Sequence, residues 1–196
     1  MKTVSILTRS LHQHSTSIAF ADLKPDISHV CAVQPGQHRN LISSAPLTAG
    51  NEFHRLLGRM GDDGPLTAKE KAYLPWMKKL RTMVWNLGAW QMDMESALAG
   101  VGNVPGGVCD LLIHGGPQRH GIIEVKVIVE GTCEKPRSRD CAQLGAYTRN
   151  LAGDRSFDRV WAGLAYIELE TGLVRLFVFQ NARQLVTQTI SLLRAA

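Results

Sequence analysis

The chain has 196 residues, the size of one compact domain or one domain with an appended arm. Hydrophobic residues make up 44% and charged residues 20%, which excludes wholesale disorder, and no apolar run is long enough to span a bilayer. Lys and Arg total 22 against 17 Asp and Glu, a net charge of +5 that permits a polyanionic partner without requiring one.

Residues 1–46 carry little periodicity. Met1 to Ser10 holds one Lys and an apolar run interrupted by Ser5 and ended by Thr8-Arg9, a poor secretory signal. A cytoplasmic setting is therefore expected, with reduced thiols at Cys31, Cys109, Cys133 and Cys141, none of which forms a C-x-x-C pair. His12, His14, His29 and His38 are scattered, and Pro25, Pro35 and Gly36 break the text. His12-Gln13-His14 reads as an exposed pair rather than a ligand pair. This stretch is expected to be an arm or small added layer, with the main domain at 47–196.

From Thr48 the pattern becomes regular. Phe53, Leu56, Leu57 and Met60 fall on one helical face, and Gly61-Asp62-Asp63-Gly64-Pro65 ends it. Thr67 and Glu70 form a capping-box pattern opening a second helix, which bears Lys69, Lys71, Lys78, Lys79 and Arg81. Pro75 is expected to kink or split that helix. Trp90, Met92, Met94 and Leu98 then alternate with Gln91, Asp93, Glu95 and Ala97, a half-buried strand. Trp76, Trp85 and Trp90 are all expected in the core.

Strands at Val108 to His114 and Gly121 to Glu130 flank a Gly115-Gly116-Pro117 turn. Asp140 to Leu151 reads as a helix with Leu144, Tyr147 and Leu151 on one side and Gly153 near its end. A hairpin follows, Val160 to Leu169 and Leu173 to Phe179 around Glu170-Thr171-Gly172, and a last helix closes the chain. The order α-β-β-β-α-β-β-α predicts an α/β fold with a mixed central sheet flanked by helices.

The chemistry concentrates in Cys109-Asp110-Leu111-Leu112-Ile113 and Gly121-Ile122-Ile123-Glu124-Val125-Lys126-Val127. Strand alternation puts Ile123, Val125, Val127 and Val129 on one face and Glu124 and Lys126 on the other. Asp110 opens the neighbouring strand, where its carboxylate can meet that of Glu124. Two close carboxylates repel unless a cation neutralises them, and hard oxygen ligands suit Mg²⁺ or Mn²⁺. The alternative is a solvent-exposed Glu–Lys pair, worth little.

Three further features accompany the pair. Gly107-Val108-Cys109-Asp110 is a G-x-x-D tetrad, Gln143 and Tyr147 lie one turn apart on the next helix, and Gly50-Asn51-Glu52-Phe53-His54 puts a histidine in the first turn of the early helix. Together G-x-x-x-H, G-x-x-D, E-x-K and Q-x-x-x-Y resemble the PD-(D/E)xK nucleases of the RecB-like branch, over roughly Gly50 to Tyr147. The Pro-Asp of the family name is absent here.

That resemblance implies a restriction-endonuclease-like αβββαβ core with an N-terminal arm or extra layer. It implies that His54, Asp110, Glu124 and the Val125 carbonyl bind Mg²⁺ or Mn²⁺, and that all but Val125 converge in one pocket at the sheet edge with Lys126. In the catalytic set of Asp110, Glu124, Lys126, Gln143 and Tyr147, the lysine would orient or activate water and stabilise phosphate charge. Gln143 and Tyr147 would position the substrate or the lysine. Glu52 and Glu95 are candidate assistants, Glu95 being more simply a solvated strand residue.

No iron–sulfur cluster is expected, because no cysteine follows Cys141, and no Walker-type G-x-x-x-x-G-K-[ST] occurs. Pro105 spoils the spacing of a dinucleotide loop at Gly100 to Gly107, and neither G-x-S-x-G nor H-E-x-x-H is present. Lys78, Lys79, Arg81, Arg137 and Arg139 can line a nucleic-acid groove. The expected activity is metal-dependent hydrolysis of DNA, exonucleolytic rather than endonucleolytic, in recombination, repair or mobile-element processing. The expected partners are DNA and either a second copy or a recombination protein, with no membrane. The second reading is a catalytically inactive module that keeps the fold to bind nucleic acid or protein.

Overall fold

Six strands form one mixed sheet in a computed structural model that describes residues 20, 22–33, 45–59, 65–153 and 157–195. In chain order the elements are β1 (Ile27–Ala32), α1 (Pro46–Gly58), α2 (Ala68–Asn86), β2 (Ala89–Leu98), β3 (Gly107–Gly115), β4 (His120–Ile128), α3 (Ser138–Ala152), β5 (Val160–Glu168), β6 (Leu173–Phe179) and α4 (Arg183–Ala195). Met1 to Ser10, His12, His14, Pro35, Gly36, His38, Met60 and Gly61 to Gly64 lie outside the described residues. Among the described residues no helix is long and apolar enough to cross a membrane.

The strands run in the spatial order β1-β6-β5-β4-β3-β2. Among the described strands only the β4–β5 pair is parallel, because α3 supplies the crossover that a parallel connection needs. β1 comes from the stretch read as an arm, and it extends the sheet by pairing antiparallel with β6. The element order therefore begins with a strand.

The helices cover both faces. Phe53, Leu56 and Leu57 of α1 and Tyr73, Trp76 and Leu80 of α2 pack on Leu111, Ile123, Val125, Ala165 and Leu176. On the opposite face, Leu144 and Tyr147 of α3 and Leu185 of α4 pack on Ile122, Leu164, Tyr166 and Phe177. β5 lies under both layers and is buried along its whole length, which its unbroken apolar text reflects.

Three expectations are corrected, one on α2 and two on the tryptophans. Pro75 does not split α2, which continues from Ala68 to Asn86. The reciprocal Thr67–Glu70 capping box fixes its start, and Tyr73, Trp76, Met77, Leu80, Met83 and Val84 bury one side, outweighing one missing backbone hydrogen bond. Trp90 is 68% exposed rather than in the core. Trp76 is fully buried, with its indole N–H donating to the Glu168 carbonyl, whereas Trp85 is only partly covered.

One irregularity positions the site. Leu111 belongs to the core under α1 and α2, yet Cys109, two residues earlier, belongs to the core under α3 and α4. The strand therefore turns over at Asp110. Opposite it, Glu95 has φ +46°, and the pairs Met94↔Leu111 and Ser96↔Cys109 bracket the two residues. Strict alternation fails at Asp110 because β2 and β3 twist there together.

Candidate functional site

The β3–β4 ladder runs from His114↔His120 to Leu111↔Ile123 and stops. The next rung would set Asp110 against Glu124, and there the strands part. The Val125 N–H, which a continued ladder would have used, donates to Asp110 Oδ2 at 2.7 Å. In an antiparallel register a residue's N–H and C=O point to the same side, so the Val125 carbonyl is turned into the same gap.

Both helical layers contribute to this gap. From α1, His54 Nδ1 lies 3.1 Å from Asp110 Oδ1. The helix starts at Pro46, so His54 sits well inside it rather than in its first turn. On the α3 side, Glu124 Oε1 accepts from Lys126 Nζ at 2.7 Å, and Lys126 also donates to Gln143 Oε1 at 2.9 Å. Gln143 Nε2 is 3.4 Å from the Tyr147 hydroxyl, a weak contact. Glu124 and Lys126 share a face, as period 2 requires. The site lies between two interior strands, not at the sheet edge, because β2 covers the far side of β3.

Burial makes these charges matter. Glu124 is 2% exposed, and its Oε2 is buried with no hydrogen-bond partner among the described residues. Desolvation, then the charge of Asp110, pushes its carboxyl up to about 8 against the pull of Lys126. Burial alone would lower the Lys126 pKa, but the carboxylates of Glu124 and Asp110 raise it, so the ammonium is retained. Burial also works against His54, yet its hydrogen bond to Asp110 and that carboxylate's charge raise it. Tyr147 is raised by burial and by the charge of Glu124, so it remains a phenol.

A cleft of about 230 Å³ opens beside this cluster, bordered by Asn51, His54, Lys126, Arg137, Arg139 and Asp140. Asp140 is buried and accepts from the Tyr166 hydroxyl at 2.9 Å, while Arg137 lies over the Tyr166 ring at 5.9 Å. Sequence reasoning picked out the two arginines but missed Asp140 and Tyr166, whose pairing joins α3 to β5 and has no signature in spacing. Glu52 is committed elsewhere, accepting from Lys69 Nζ and the Tyr73 hydroxyl between α1 and α2. The carboxylate of Glu95 lies against Gly58 of α1.

The donor set fits a divalent cation in chemistry more than in closed form. Among the described residues no three His, Cys, Asp or Glu side chains make a ready metal cage, and each carboxylate already faces an internal nitrogen. The Glu124 Oε2 beside Asp110 is nevertheless a buried oxygen with no hydrogen-bond partner among the described residues. Two carboxylates and a backbone carbonyl are hard oxygen donors of the kind Mg²⁺ and Mn²⁺ take.

No family model matches the chain, and no curated protein matches it. A solved structure, the crystal structure of SSO0001, is similar at 15% identity over 73% of this chain and 71% of its own, with a TM-score of 0.34. A likeness of that size carries no argument about fold or activity.

Proposed function

We propose that this chain is a divalent-metal-dependent nuclease of the RecB-like PD-(D/E)xK type, hydrolysing DNA phosphodiesters exonucleolytically from a restriction-endonuclease-like core. The observation that carries the reading is the unpartnered oxygen of buried Glu124, set beside Asp110 and Lys126 where β3 and β4 part. An unsatisfied polar atom in the interior costs stability, and a bound cation would offset that cost here.

Asp110, Glu124 and the Val125 carbonyl would hold the metal, with His54 joining them or steadying Asp110. When bound, Mg²⁺ or Mn²⁺ supplies positive charge at the phosphoryl oxygen and makes a water more acidic. Lys126 is held by Glu124 and Gln143, which leaves one ammonium hydrogen for a phosphate oxygen or the attacking water. Its raised pKa suits it to stabilising developing negative charge rather than accepting a proton. Gln143 acts by aiming Lys126, and Tyr147 by supporting Gln143. Arg137 and Arg139 border the cleft where the flanking phosphates would lie.

The test is a nuclease assay on linear, circular and single-stranded DNA in Mn²⁺, Mg²⁺ or EDTA. Cleavage that needs metal and free ends, and that vanishes in Glu124→Gln, is expected. Cleavage in EDTA, or undiminished cleavage by Glu124→Gln, would refute the assignment. A second reading, a catalytically inactive nucleic-acid-binding module, is favoured by the existing pairing of each carboxylate with His54 or Lys126. DNA bound but left uncut with either metal would select it.

A further inference from the structure

The other end of the β3–β4 hairpin carries a feature that hydrolysis does not use. A pocket of about 430 Å³ is bordered by Leu112, His114, Arg119, His120, Leu151 and Arg159. Its interior is apolar, and its two arginines are exposed and form no ion pair among the described residues. Asp93 is engaged by His114 Nε2 at 2.8 Å and by Gln91, and Asp158 faces Arg183 at 3.5 Å. Among the described residues, then, no carboxylate pairs with either arginine at the mouth of the pocket.

Trp90 stands beside it. In the β2–β3 ladder Ala89 pairs with Gly115 and Gln91 with His114, so Trp90 is the extra residue of a bulge, a device that re-aims a side chain. Its indole rests on Gly115, where a Cβ would come within 2.6 Å of the ring, and Gly115 has φ +89°. One side of the ring meets His114 at a centroid distance of 5.4 Å, and His114 in turn meets His120 at 5.4 Å. A large aromatic ring that is 68% exposed yet pinned by backbone and a neighbouring ring is a prepared stacking surface. Free burial of apolar area would instead have turned it inward.

We propose that this end of the sheet is a single-stranded nucleic-acid site. A base stacks on the open face of Trp90, its neighbour enters the apolar pocket, and the intervening phosphates lie against Arg119 and Arg159. Such a combination of aromatic platform and cationic rim binds single strands with little regard to sequence. The inference deepens the nuclease reading and rests on it for its purpose. His120 and Glu124 lie on one face of β4, but Ile122 between them is fully buried under α3, so a strand bound at the pocket would pass around α3, not along β4, to reach the carboxylates.

The test separates binding from cleavage. The full chain is titrated with a fluorescein-labelled oligothymidylate in EDTA, following anisotropy and tryptophan emission across a salt series. Wild type is expected to bind the single strand. Trp90→Ala is expected to weaken binding about tenfold or more, with Trp90→Phe recovering part of the loss. Arg119→Gln combined with Arg159→Gln should reduce the slope of log K against log salt by about 1.4, roughly 0.7 per phosphate contact. Circular dichroism and thermal melting check that each variant is folded. Failure of wild type to bind the single strand overturns the proposal, as does wild-type-like binding by both Trp90→Ala and the arginine pair. Metal-dependent cleavage that persists in either case leaves the nuclease reading standing alone. Stacking losses in a chain that never cleaves support this site and remove only the nuclease reading.

Discussion

Replacing Glu124 with glutamine tests the cation deficit without recourse to activity. The amide matches the protonated acid in shape and keeps an acceptor for Lys126 Nζ, which now donates to Glu124 Oε1. It removes only the buried charge. Moving the carboxyl from its ordinary 4.5 up to about 8 is a gain in proton affinity of up to about 5 kcal/mol. The folded chain thus holds this proton more tightly than the unfolded chain. The stability contributed is fully present below about pH 4.5 and is lost as the pH climbs through about 8. His54, also raised, loses stability in the same direction, so the comparison must be between wild type and variant. In urea unfolding with EDTA, Glu124→Gln should gain on wild type by several kcal/mol between pH 5 and pH 8.5, with about 5 as the ceiling. With Mn²⁺ at about 100 times its Kd, wild type should recover about 2.7 kcal/mol at the alkaline end and the variant little. Parallel pH profiles for the two proteins, or equal stabilisation by Mn²⁺, would refute both the cation deficit and the metal assignment.

Asp110→Asn keeps an oxygen for the Val125 N–H but removes one anionic donor, so cleavage should fall by orders of magnitude with melting nearly unchanged. Gln143→Ala and Tyr147→Phe should bind Mn²⁺ as wild type does in calorimetry but cleave more slowly, because neither group carries charge at neutral pH. Gly121→Ala should cost about 1–3 kcal/mol in urea unfolding, because its Cβ would overlap the Trp161 ring on the adjacent strand.

The legible parts of the fold are those where local pattern and tertiary role agree. β6 falls at Leu173–Phe179 as predicted, since alternation and the Glu170-Thr171-Gly172 turn bound it from within the chain. The pairing of Glu124 with Lys126 also follows from strand period alone. β1 escaped notice because Ser28, His29 and Val30 face solvent on an edge, where no core face imposes an apolar rhythm. The exposure of Trp90 depends on a bulge and on its seat against Gly115, neither of which composition announces. The mid-sheet position of the site depends on long-range pairing of β4 with β5. The turnover of β3 at Asp110 accompanies a left-handed Glu95, a conformation no propensity scale assigns to glutamate.

That turnover is also what makes the site buildable. Had β3 and β4 continued their ladder, the Val125 N–H would have bonded to backbone and Asp110 would have remained in one layer. Parting the strands frees one rung's worth of backbone polarity. The Asp110 carboxylate satisfies the N–H, and the carbonyl is left facing the gap. The same parting lets a histidine from one helical layer and a glutamine from the other reach opposite sides of one carboxylate pair. The cost is Glu124, buried by the helix that supplies Gln143 and left with an oxygen that no group among the described residues satisfies. A fold that merely needed to close its core would place an apolar residue there, at no loss of packing and with no charge to bury. The acid at that position is therefore a stability loss, and the metal reading proposed above accounts for it by giving the buried oxygen a cation to meet.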